Sequence, residues 1–412
     1  MRKVWGLACV IVLMVFNVLG QARNPFYHFE EIDIKPDLWL SLHFDFNFTA
    51  FSIETEDELT GSLIVKIDNE EIALYPDEHI MDTNLTQLIS VNESSTSLEI
   101  YSELTTGKIK IHLLNSSTSN LHKYRKKPQE RSQEECNEPA LIHQAEWRAG
   151  LPPPSYTRSF SDVEHVIVHH SAGSNSNTNF EQVVRDIYLY HTQVNGWSDI
   201  GYNYLIDQEG TIYAGRDPGD GEQDNVVGAH FCGKNTSTMG ICLLGNYETA
   251  QPTTASLQSL SNLTAWKMKH EQLDPFGNAI HRGEDLDRLA GHRDGCATLC
   301  PGENLYTRLN EIRIDVQLEI DICEESDNAE QLVSVHPNPV ETDQKLTVQI
   351  SDKDRIQAIS IIDPQGKHVL SRTFTYVTNK VNLSTTDYSA GLYALKIQTA
   401  ADSLYQYKVV IY

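Results

Sequence analysis

A short apolar run that ends in two adjacent histidines constrains the fold of this chain more than any other feature. Residues 163–170 have the sequence Val-Glu-His-Val-Ile-Val-His-His, and a short run this rich in β-branched residues predicts a buried strand. A capping-box pattern at residues 178–181, followed by apolar residues at helical spacing, then predicts a helix. Further strand patterns lie at residues 202–207, 211–213 and 239–244, and further helical patterns at residues 255–270 and 304–319. Strands alternating with helices predict an α/β domain over residues 138–320.

The segments on both sides of this α/β region show the alternation of apolar and polar residues that is typical of β-strands. In residues 24–120 the alternation is clearest over 40–48, and residues 335–412 contain several similar runs. Polar stretches at residues 121–137 and 321–334 are interpreted as linkers. The sequence thus predicts a β-rich N-terminal domain of unknown role and a second β-domain at the C-terminus.

The N-terminus has the composition of an export signal. Arg2 and Lys3 precede an apolar run from Val4 to Leu19, and Gly20-Gln-Ala22 offers small residues for cleavage. Residues 1–22 are therefore predicted to be a signal peptide, while an uncleaved anchor stays open because the run approaches the length of a membrane span. No later segment of the sequence is long and apolar enough for stable membrane insertion.

The charge balance excludes two classes of partner. The net charge is −25, whereas proteins that bind nucleic acid or anionic membranes need a basic face. The short basic cluster at residues 122–131 lies in a predicted linker and is interpreted as solvated chain.

The cysteines permit disulfide bonds. Of seven cysteines only Cys9 lies in the predicted signal peptide, and an even remainder in an exported chain is compatible with disulfides. Cys136 and Cys323 flank the α/β segment, and their positions suggest that they pair. If Cys300 binds a metal, at least one other thiol is unpaired. A disulfide between Cys296 and Cys300 also stays open, and it would remove the thiolate.

Two histidines and a cysteine are candidates for a metal site. His292 and Cys300 lie in one loop that contains Gly295, so the loop can fold both side chains toward one ion. Neighbouring side chains on a strand point to opposite faces, so only one of His169 and His170 is expected to join them. Two imidazoles and one thiolate suit zinc, and a site with three protein ligands leaves a fourth position for water.

Eight short motifs occur in order across the α/β region. They are Glu146-Trp147, Val166-Ile-Val-His-His-Ser171, Trp197-Ser-Asp-Ile-Gly-Tyr-Asn-Tyr204, Gly210-Thr-Ile-Tyr-Ala-Gly-Arg216, Val227-Gly-Ala-His230, Met239-Gly-Ile-Cys-Leu-Leu-Gly-Asn246, Gly291-His-Arg-Asp294 and Cys300-Pro-Gly302. In these motifs the segment resembles the peptidoglycan-recognition-protein family of zinc amidases, which includes the phage lysozyme-type amidases. The resemblance implies an α/β amidase domain with a mixed central β-sheet flanked by helices.

The resemblance also implies catalytic roles. His169, His292 and Cys300 occupy the zinc-ligand positions, and Tyr202 occupies the position of a catalytic tyrosine. Thr298 stands where phage-type relatives carry a lysine, and its hydroxyl could assist an oxyanion. The implied reaction is hydrolysis of the amide between the lactyl group of N-acetylmuramic acid and L-alanine in peptidoglycan.

Five further residues are candidates for lining a groove that binds the peptide stem. They are His170, Trp197, His230, Asn246 and Arg216. A structural salt bridge is an equally open interpretation of Arg216. The pair Asn225-Val226 matches neither stem preference known in animal members, so the choice between diaminopimelate and lysine stems stays open. Cys242 stands where some bacterial relatives have a glutamate, so no carboxylate general base is identified.

The C-terminal segment carries a second resemblance. Val335-His-Pro-Asn-Pro339, Gly391-Leu-Tyr393 and Lys408-Val-Val410 resemble the type A C-terminal sorting domain of the type IX secretion system, which implies a β-sandwich-like domain. Together with the predicted signal peptide, this implies export through the outer membrane, with the type IX secretion machinery as a partner.

The sequence therefore predicts a secreted or surface-located, zinc-dependent N-acetylmuramoyl-L-alanine amidase. One alternative is a non-catalytic peptidoglycan-binding protein, although receptor members of the family typically lack the cysteine ligand that Cys300 supplies here. A further alternative is a surface adhesin whose N-terminal domain has the main role.

Overall fold

The structure is a computed structural model in which most of the chain is described. The described residues are 11–14, 24–56, 62–67, 70–80, 83–103, 107–117, 138–329, 333–350, 355–363, 367–401 and 403–412. The chain divides into two compact units, and the first combines the N-terminal strands with the α/β region up to Gln317. The second unit contains Leu318–Tyr412. Among the described residues, no helix has the length and apolar character needed to cross a membrane.

The N-terminal region forms one β-sheet. Its strands are β1 (Ile11–Met14), β2 (Tyr27–Ile34), β3 (Trp39–Thr55), β4 (Leu63–Ile67), β5 (Glu70–Leu74), β6 (Ile89–Ser102) and β7 (Gly107–Leu114). Their order is β2-β7-β3-β6-β4-β5, with β1 beside β3. The alternation seen in the sequence places Leu40, Leu42 and Phe44 in the hydrophobic core of this sheet. Strand β1 lies in the predicted signal peptide, which stays a prediction.

The chain between β5 and β6 forms a narrow excursion from this sheet. Gln87 N donates to Tyr75 O over 2.9 Å, and Asp77 N donates to Leu85 O over 2.8 Å. These two bonds hold the base of the excursion together. Beyond them lies the segment Asp77–His79, which reaches the α/β region as described below.

The α/β region has the mixed sheet and flanking helices that were predicted. Its elements are α1 (Gln144–Trp147), β8 (His165–His170), α2 (Phe180–Leu189), a π-helical turn (Tyr190–Val194), β9 (Tyr204–Ile206), β10 (Ile212–Ala214), β11 (Thr238–Leu243), α3 (Thr254–His270), β12 (Asn278–His281), β13 (Glu284–Asp287), β14 (Leu289–Gly291), a 3-10 turn (His292–Asp294), α4 (Glu303–Tyr306) and α5 (Leu309–Ala329). The sheet order is β10-β9-β11-β8-β14. Strand β8 runs parallel to β11 and β14, whereas β10 is antiparallel to β9. All six residues of β8 are buried, as expected for a central strand covered on both faces.

Two helix boundaries differ from the sequence prediction. The side chain of Asn179, rather than Thr178, caps α2 by accepting a hydrogen bond from Gln182 N. The predicted helix at residues 304–319 is divided into α4 and α5, and α5 continues into the predicted linker. Cys323 in α5 is disulfide-bonded, while its predicted partner Cys136 lies outside the described residues.

The N-terminal sheet and the α/β region share a hydrophobic core. Ala50 of β3 and Leu114 of β7 belong to the same cluster of buried residues as Val184 of α2. Buried polar contacts reinforce this packing, since Thr49 Oγ1 donates to Asp186 Oδ1 over 2.6 Å. The sequence predicted separate domains here, but both segments belong to one compact unit. Polar groups buried between the two segments are satisfied only when both segments are present.

The C-terminal unit is rich in strands. They are β15 (Val333–His336), β16 (Lys345–Ile350), β17 (Ile356–Ile362), β18 (His368–Thr378), β19 (Lys380–Ser384), β20 (Gly391–Thr399) and β21 (Leu404–Ile411). They form two sheets, β15-β16-β19 and β18-β17-β20-β21. Val348 from the first sheet and Ile359 and Leu395 from the second lie in one hydrophobic cluster, so the two sheets enclose a common core.

Candidate metal centre

The three predicted metal ligands meet at one edge of the mixed sheet. His169 lies near the end of β8, and His292 follows β14, which runs parallel to β8 with Gly291 opposite Val168. Parallel neighbouring strands end at the same edge, where the sites of α/β sheets commonly lie. The loop after His292 then turns back, since Arg293 N donates to Cys300 O over 2.9 Å. The fold therefore brings together residues that are far apart in the sequence.

The geometry of the three ligand atoms fits a zinc ion. The donor atoms of His169, His292 and Cys300 all lie within 4.8 Å of one another, and His169 Nδ1 is 3.7 Å from Cys300 Sγ. Tetrahedral zinc with Zn–N near 2.0 Å and Zn–S near 2.3 Å separates such a pair by roughly 3.5 Å. His292 Nδ1 is buried without a hydrogen-bond partner in the described part of the chain, so its lone pair is available to an ion.

The protonation states of the two histidines suit this role. Burial, together with the neighbouring imidazole of His292, lowers the pKa of His169 well below its ordinary value. Burial likewise lowers the pKa of His292, so both rings are neutral near neutral pH. Burial raises the pKa of the Cys300 thiol, against an opposing hydrogen bond from His79. A cation at the site would favour the thiolate, and His170 N lies 3.4 Å from Cys300 Sγ as a further donor.

His230 orients one of the ligands. His230 Nδ1 is 3.0 Å from His169 Nε2, and Thr238 Oγ1 is 3.3 Å from His230 Nε2. Burial lowers the pKa of His230 to about 3, so the ring is neutral. The pattern assigns the proton of His169 to Nε2, which leaves Nδ1 to face Cys300. The sequence placed His230 in the substrate groove, and the structure puts it behind His169; the groove role stays a prediction.

Tyr202 lies beside the ligands. Its ring centroid is 5.2 Å from that of His169, and the side chain is buried. Burial raises the pKa of Tyr202 well above its ordinary value, so the hydroxyl stays neutral and can donate a hydrogen bond. Cys242, which is paired in register with His169 on β11, is a free thiol.

Thr298 supports the ligand loop. Cys300 N donates to Thr298 Oγ1 over 3.0 Å, which fixes the backbone immediately before the cysteine ligand. His170 points away from His169, as expected for neighbours on a strand, and its Nδ1 accepts from Tyr247 N over 3.1 Å. The structure therefore gives Thr298 a positioning contact, and its catalytic role stays a prediction.

The remaining predicted groove residues lie in the same α/β region. Trp197 packs on His191, with ring centroids 4.5 Å apart. The side chain of Asn246 accepts from the following loop through its Oδ1. The guanidinium of Arg216 lies 5.0 Å from the ring centroid of Tyr156 and donates to its hydroxyl. Their roles in substrate binding stay predictions.

The disulfide pattern leaves the ligand cysteine free. Cys296 is bonded to Cys232, so the pairing of Cys296 with Cys300 that the sequence left open does not occur. Cys300 and Cys242 are both free and buried. The second unpaired thiol that the cysteine count required is therefore Cys242.

Sequence reasoning missed one group at this site, the segment Asp77–His79. His79 Nε2 donates to His170 O over 2.8 Å, and His79 Nδ1 donates to Asp77 Oδ1 over 3.1 Å. Glu78 Oε1 accepts a hydrogen bond from His170 Nε2. His79 is also close enough to Cys300 and His170 for the three to form a second potential metal-binding group. No sequence motif marks this segment, and its contacts cross about ninety residues of chain, for instance 91 between His79 and His170.

Comparisons with known proteins identify two families in the chain. Residues 159–303 match the family described as N-acetylmuramoyl-L-alanine amidase, and residues 334–412 match the secretion system C-terminal sorting domain. Peptidoglycan-recognition protein SC2 of Drosophila simulans is 33% identical over 177 residues, which cover 42% of this chain and 84% of that protein. Peptidoglycan recognition protein 1 of Mus musculus is 32% identical over 171 residues, which cover 40% of this chain and 84% of that protein.

A solved structure of an endolysin N-acetylmuramoyl-L-alanine amidase from Clostridium intestinale is also similar. It is 25% identical, with a TM-score of 0.33, and the match covers 44% of this chain and 99% of that one. The two family matches and the curated relatives confirm both resemblances found in the sequence. The chain thus belongs to the peptidoglycan-recognition-protein family, with an amidase-family domain followed by a secretion-system C-terminal sorting domain.

Proposed function

We propose that this protein is a zinc-dependent N-acetylmuramoyl-L-alanine amidase that hydrolyses the amide between the lactyl group of N-acetylmuramic acid and L-alanine. One observation carries the proposal: Cys300 is a free thiol beside His169 and His292, and the three donor atoms converge within 4.8 Å. A set of three ligands with two imidazoles and a thiolate is typical of catalytic zinc sites, which keep a position open for water.

In the proposed reaction, the chain holds the metal and places the substrate beside it. Bound zinc supplies Lewis acidity, which polarises a carbonyl group and makes water nucleophilic at neutral pH. His230 keeps the Nδ1 atom of His169 directed at the site through its 3.0 Å contact with Nε2. Water adds to the lactyl carbonyl carbon, the C–N bond breaks, and the amino group of L-alanine leaves with a proton.

Tyr202 is proposed to stabilise the negative charge that develops on the lactyl oxygen. Its hydroxyl stays protonated because burial raises its pKa. A single donor of this kind typically contributes about 3–4 kcal/mol to the transition state. The peptide stem is proposed to bind along His170, Trp197, Asn246 and Arg216, all of which lie in the α/β region.

The place of action is proposed to be outside the cell. The match to a secretion-system sorting domain over residues 334–412 supports export, and we propose that residues 1–22 direct the first step and the type IX machinery the second. Peptidoglycan released by or belonging to other cells is then the accessible substrate.

The test uses the full chain, because α2 shares its core with the N-terminal strands. The unchanged chain and the variant His79→Ala, which removes the imidazole stacked beside His292, are incubated with insoluble peptidoglycan, and the newly exposed amines are sequenced. We expect His79→Ala, and at most also the unchanged chain, to release peptides with a new N-terminal alanine. A zinc chelator should abolish this release. Cys300→Ser in the same background should bind no zinc, whereas Cys242→Ala, which removes the other free thiol, should retain it.

Two outcomes would contradict the proposal. If zinc is bound and the protein sediments with the wall but no new amine forms in either chain, the protein is a non-catalytic peptidoglycan-binding protein. Zinc retention in Cys300→Ser would refute the proposed ligand set.

A further inference from the structure

We propose that the segment Asp77–His79 is a cover that the N-terminal sheet holds over the metal centre, closing it to peptidoglycan until the tip of the segment moves. The inference rests on the proposed function, since it concerns access to the same site. It assigns to the N-terminal region a role that the sequence left unknown.

The burial of the site supports a closed state. His169 and Cys300 are 0% exposed and His292 is 3% exposed, although an enzyme that cleaves a wall polymer must bring a bulky substrate to these atoms. The side chains of the segment are more exposed than the residue that they contact. The side chains of His79 and Glu78 are 13% and 18% exposed, whereas that of His170 beneath them is 0% exposed.

The ring of His79 lies where a substrate amide is required. Its centroid is 6.3 Å from that of His292, in a stacked arrangement, and 6.4 Å from that of Tyr202, in an edge contact. A scissile carbonyl must approach both the metal and the Tyr202 hydroxyl, so it has to enter the space between these two residues. The imidazole of His79 and a bound substrate therefore compete for the same volume.

Glu78 occupies a polar contact that a substrate could use. Its carboxylate accepts a hydrogen bond from Nε2 of His170, one of the residues predicted to line the groove for the peptide stem. Peptide stems of the wall carry free carboxylates, and a buried imidazole N–H is a suitable donor for one. Glu78 thus occupies the hydrogen-bond donor that a carboxylate of the peptide stem would otherwise use.

The base of the segment is anchored by backbone pairing, whereas its tip is held by side-chain contacts. Asp77 is buried, and its Oδ2 accepts a hydrogen bond from Tyr190 over 2.7 Å. Glu78 and His79 hold the tip through their hydrogen bonds to His170, a hydrogen bond from His79 to Cys300 and the ring contacts of His79 with Tyr202 and His292. Because the strands that flank the base, β5 and β6, are held in the hydrophobic core of the N-terminal sheet, displacement of the tip is enough to open the site, and loss of the whole sheet is not needed.

The experiment measures access to the site independently of catalysis. The zinc-loaded full chain is compared with the double variant Glu78→Gln/His79→Ala for the rate at which a chelator removes zinc and for the affinity for a soluble muramyl tripeptide. The matched control is His28→Ala/Glu30→Gln, because His28 and Glu30 form a similar pair, 2.7 Å apart, on β2. Glu78→Gln alone provides a milder variant should the double variant not fold.

In the double variant we expect the chelator to remove zinc at least about tenfold faster and the affinity for the tripeptide to rise at least about tenfold. A tenfold change corresponds to about 1.4 kcal/mol, and the cover loses more than one hydrogen bond. The control should match the unchanged chain. Equal rates and affinities in all three proteins would overturn the cover, as would weaker tripeptide binding in the double variant, which would make the segment part of the substrate site. Faster zinc removal without any amide cleavage would leave the cover standing and refute the amidase.

Discussion

Asp186 makes the junction between the N-terminal sheet and α2 sensitive to pH. Its carboxyl group is completely buried and accepts a hydrogen bond from Thr49 Oγ1 over 2.6 Å. Burial raises the pKa of Asp186 from 3.8 to about 6, although hydrogen bonds from Thr49 and its neighbours oppose the shift. The folded state therefore holds the proton more tightly than the unfolded state does.

The sign and size of the effect follow from this difference. An acid whose pKa is raised on folding contributes stability below its unfolded pKa, and that contribution is lost as the pH rises through the folded pKa. The shift from 3.8 to about 6 corresponds to about 3 kcal/mol. Asp186→Asn should remove this dependence, so the variant should be more stable than the unchanged chain at pH 7.5 by up to about 3 kcal/mol.

The assay is urea unfolding at pH 4 and pH 7.5, followed by tryptophan fluorescence. No tryptophan lies in residues 318–412 of the sequence, so the signal reports on the first compact unit. The matched control is Asp285→Asn, at an exposed position of β13. This substitution should change the free energy of unfolding by no more than about 0.5 kcal/mol at either pH. An Asp186→Asn variant that is less stable than the unchanged chain at pH 7.5 would refute the reasoning, because it would mean that the buried carboxylate is stabilising.

Three further predictions concern the metal centre and the disulfide of the ligand loop. His230→Ala should weaken zinc affinity by about 10- to 100-fold, because His169 loses its orienting contact; competition with a chromogenic chelator measures this, and unchanged affinity would contradict it. Tyr202→Phe should lower kcat by about 100- to 1000-fold while zinc content stays constant, and equal losses of zinc and rate would show a structural role instead. Cys296→Ser opens a disulfide that spans 64 residues and should lower the free energy of unfolding by about 4 kcal/mol; a change below 1 kcal/mol in denaturant titration would count against it.

Much of the candidate metal centre could be predicted because the types of its ligand residues, and the short motifs that contain them, are visible in the sequence. The apolar strand that ends at His169 and the loop from His292 to Cys300 each have a local signature in the sequence. The fold then brings them together through the parallel pairing of β8 and β14. The mixed sheet could be predicted for the same reason, since alternating strands and helices leave few arrangements that bury both faces.

Contacts between distant segments could not be predicted in the same way. His230 is conspicuous in the sequence, but only the three-dimensional structure shows that it bonds to His169. The choice of Cys232 as the partner of Cys296 depends on loop paths that the sequence does not specify. The segment Asp77–His79 carries no motif at all, because its position follows from the packing of the N-terminal sheet against the α/β region within the first compact unit.

The extension of α5 shows a different limit. Its C-terminal turns have a polar composition that indicates a linker, and yet the helix continues to Ala329. Cys323, within this extension, is disulfide-bonded. Composition alone therefore does not locate the end of this helix.

The central claim is that the chain cleaves one amide bond of the wall at the lactyl carbonyl. The most direct measurement is the digestion of a defined muramyl peptide by the zinc-loaded His79→Ala chain in heavy-oxygen water, with the products analysed by mass spectrometry. We predict free peptide with an N-terminal alanine and a single heavy oxygen in the lactyl carboxylate, both absent in Cys300→Ser. Intact substrate, or a heavy oxygen in any other product, would contradict the account.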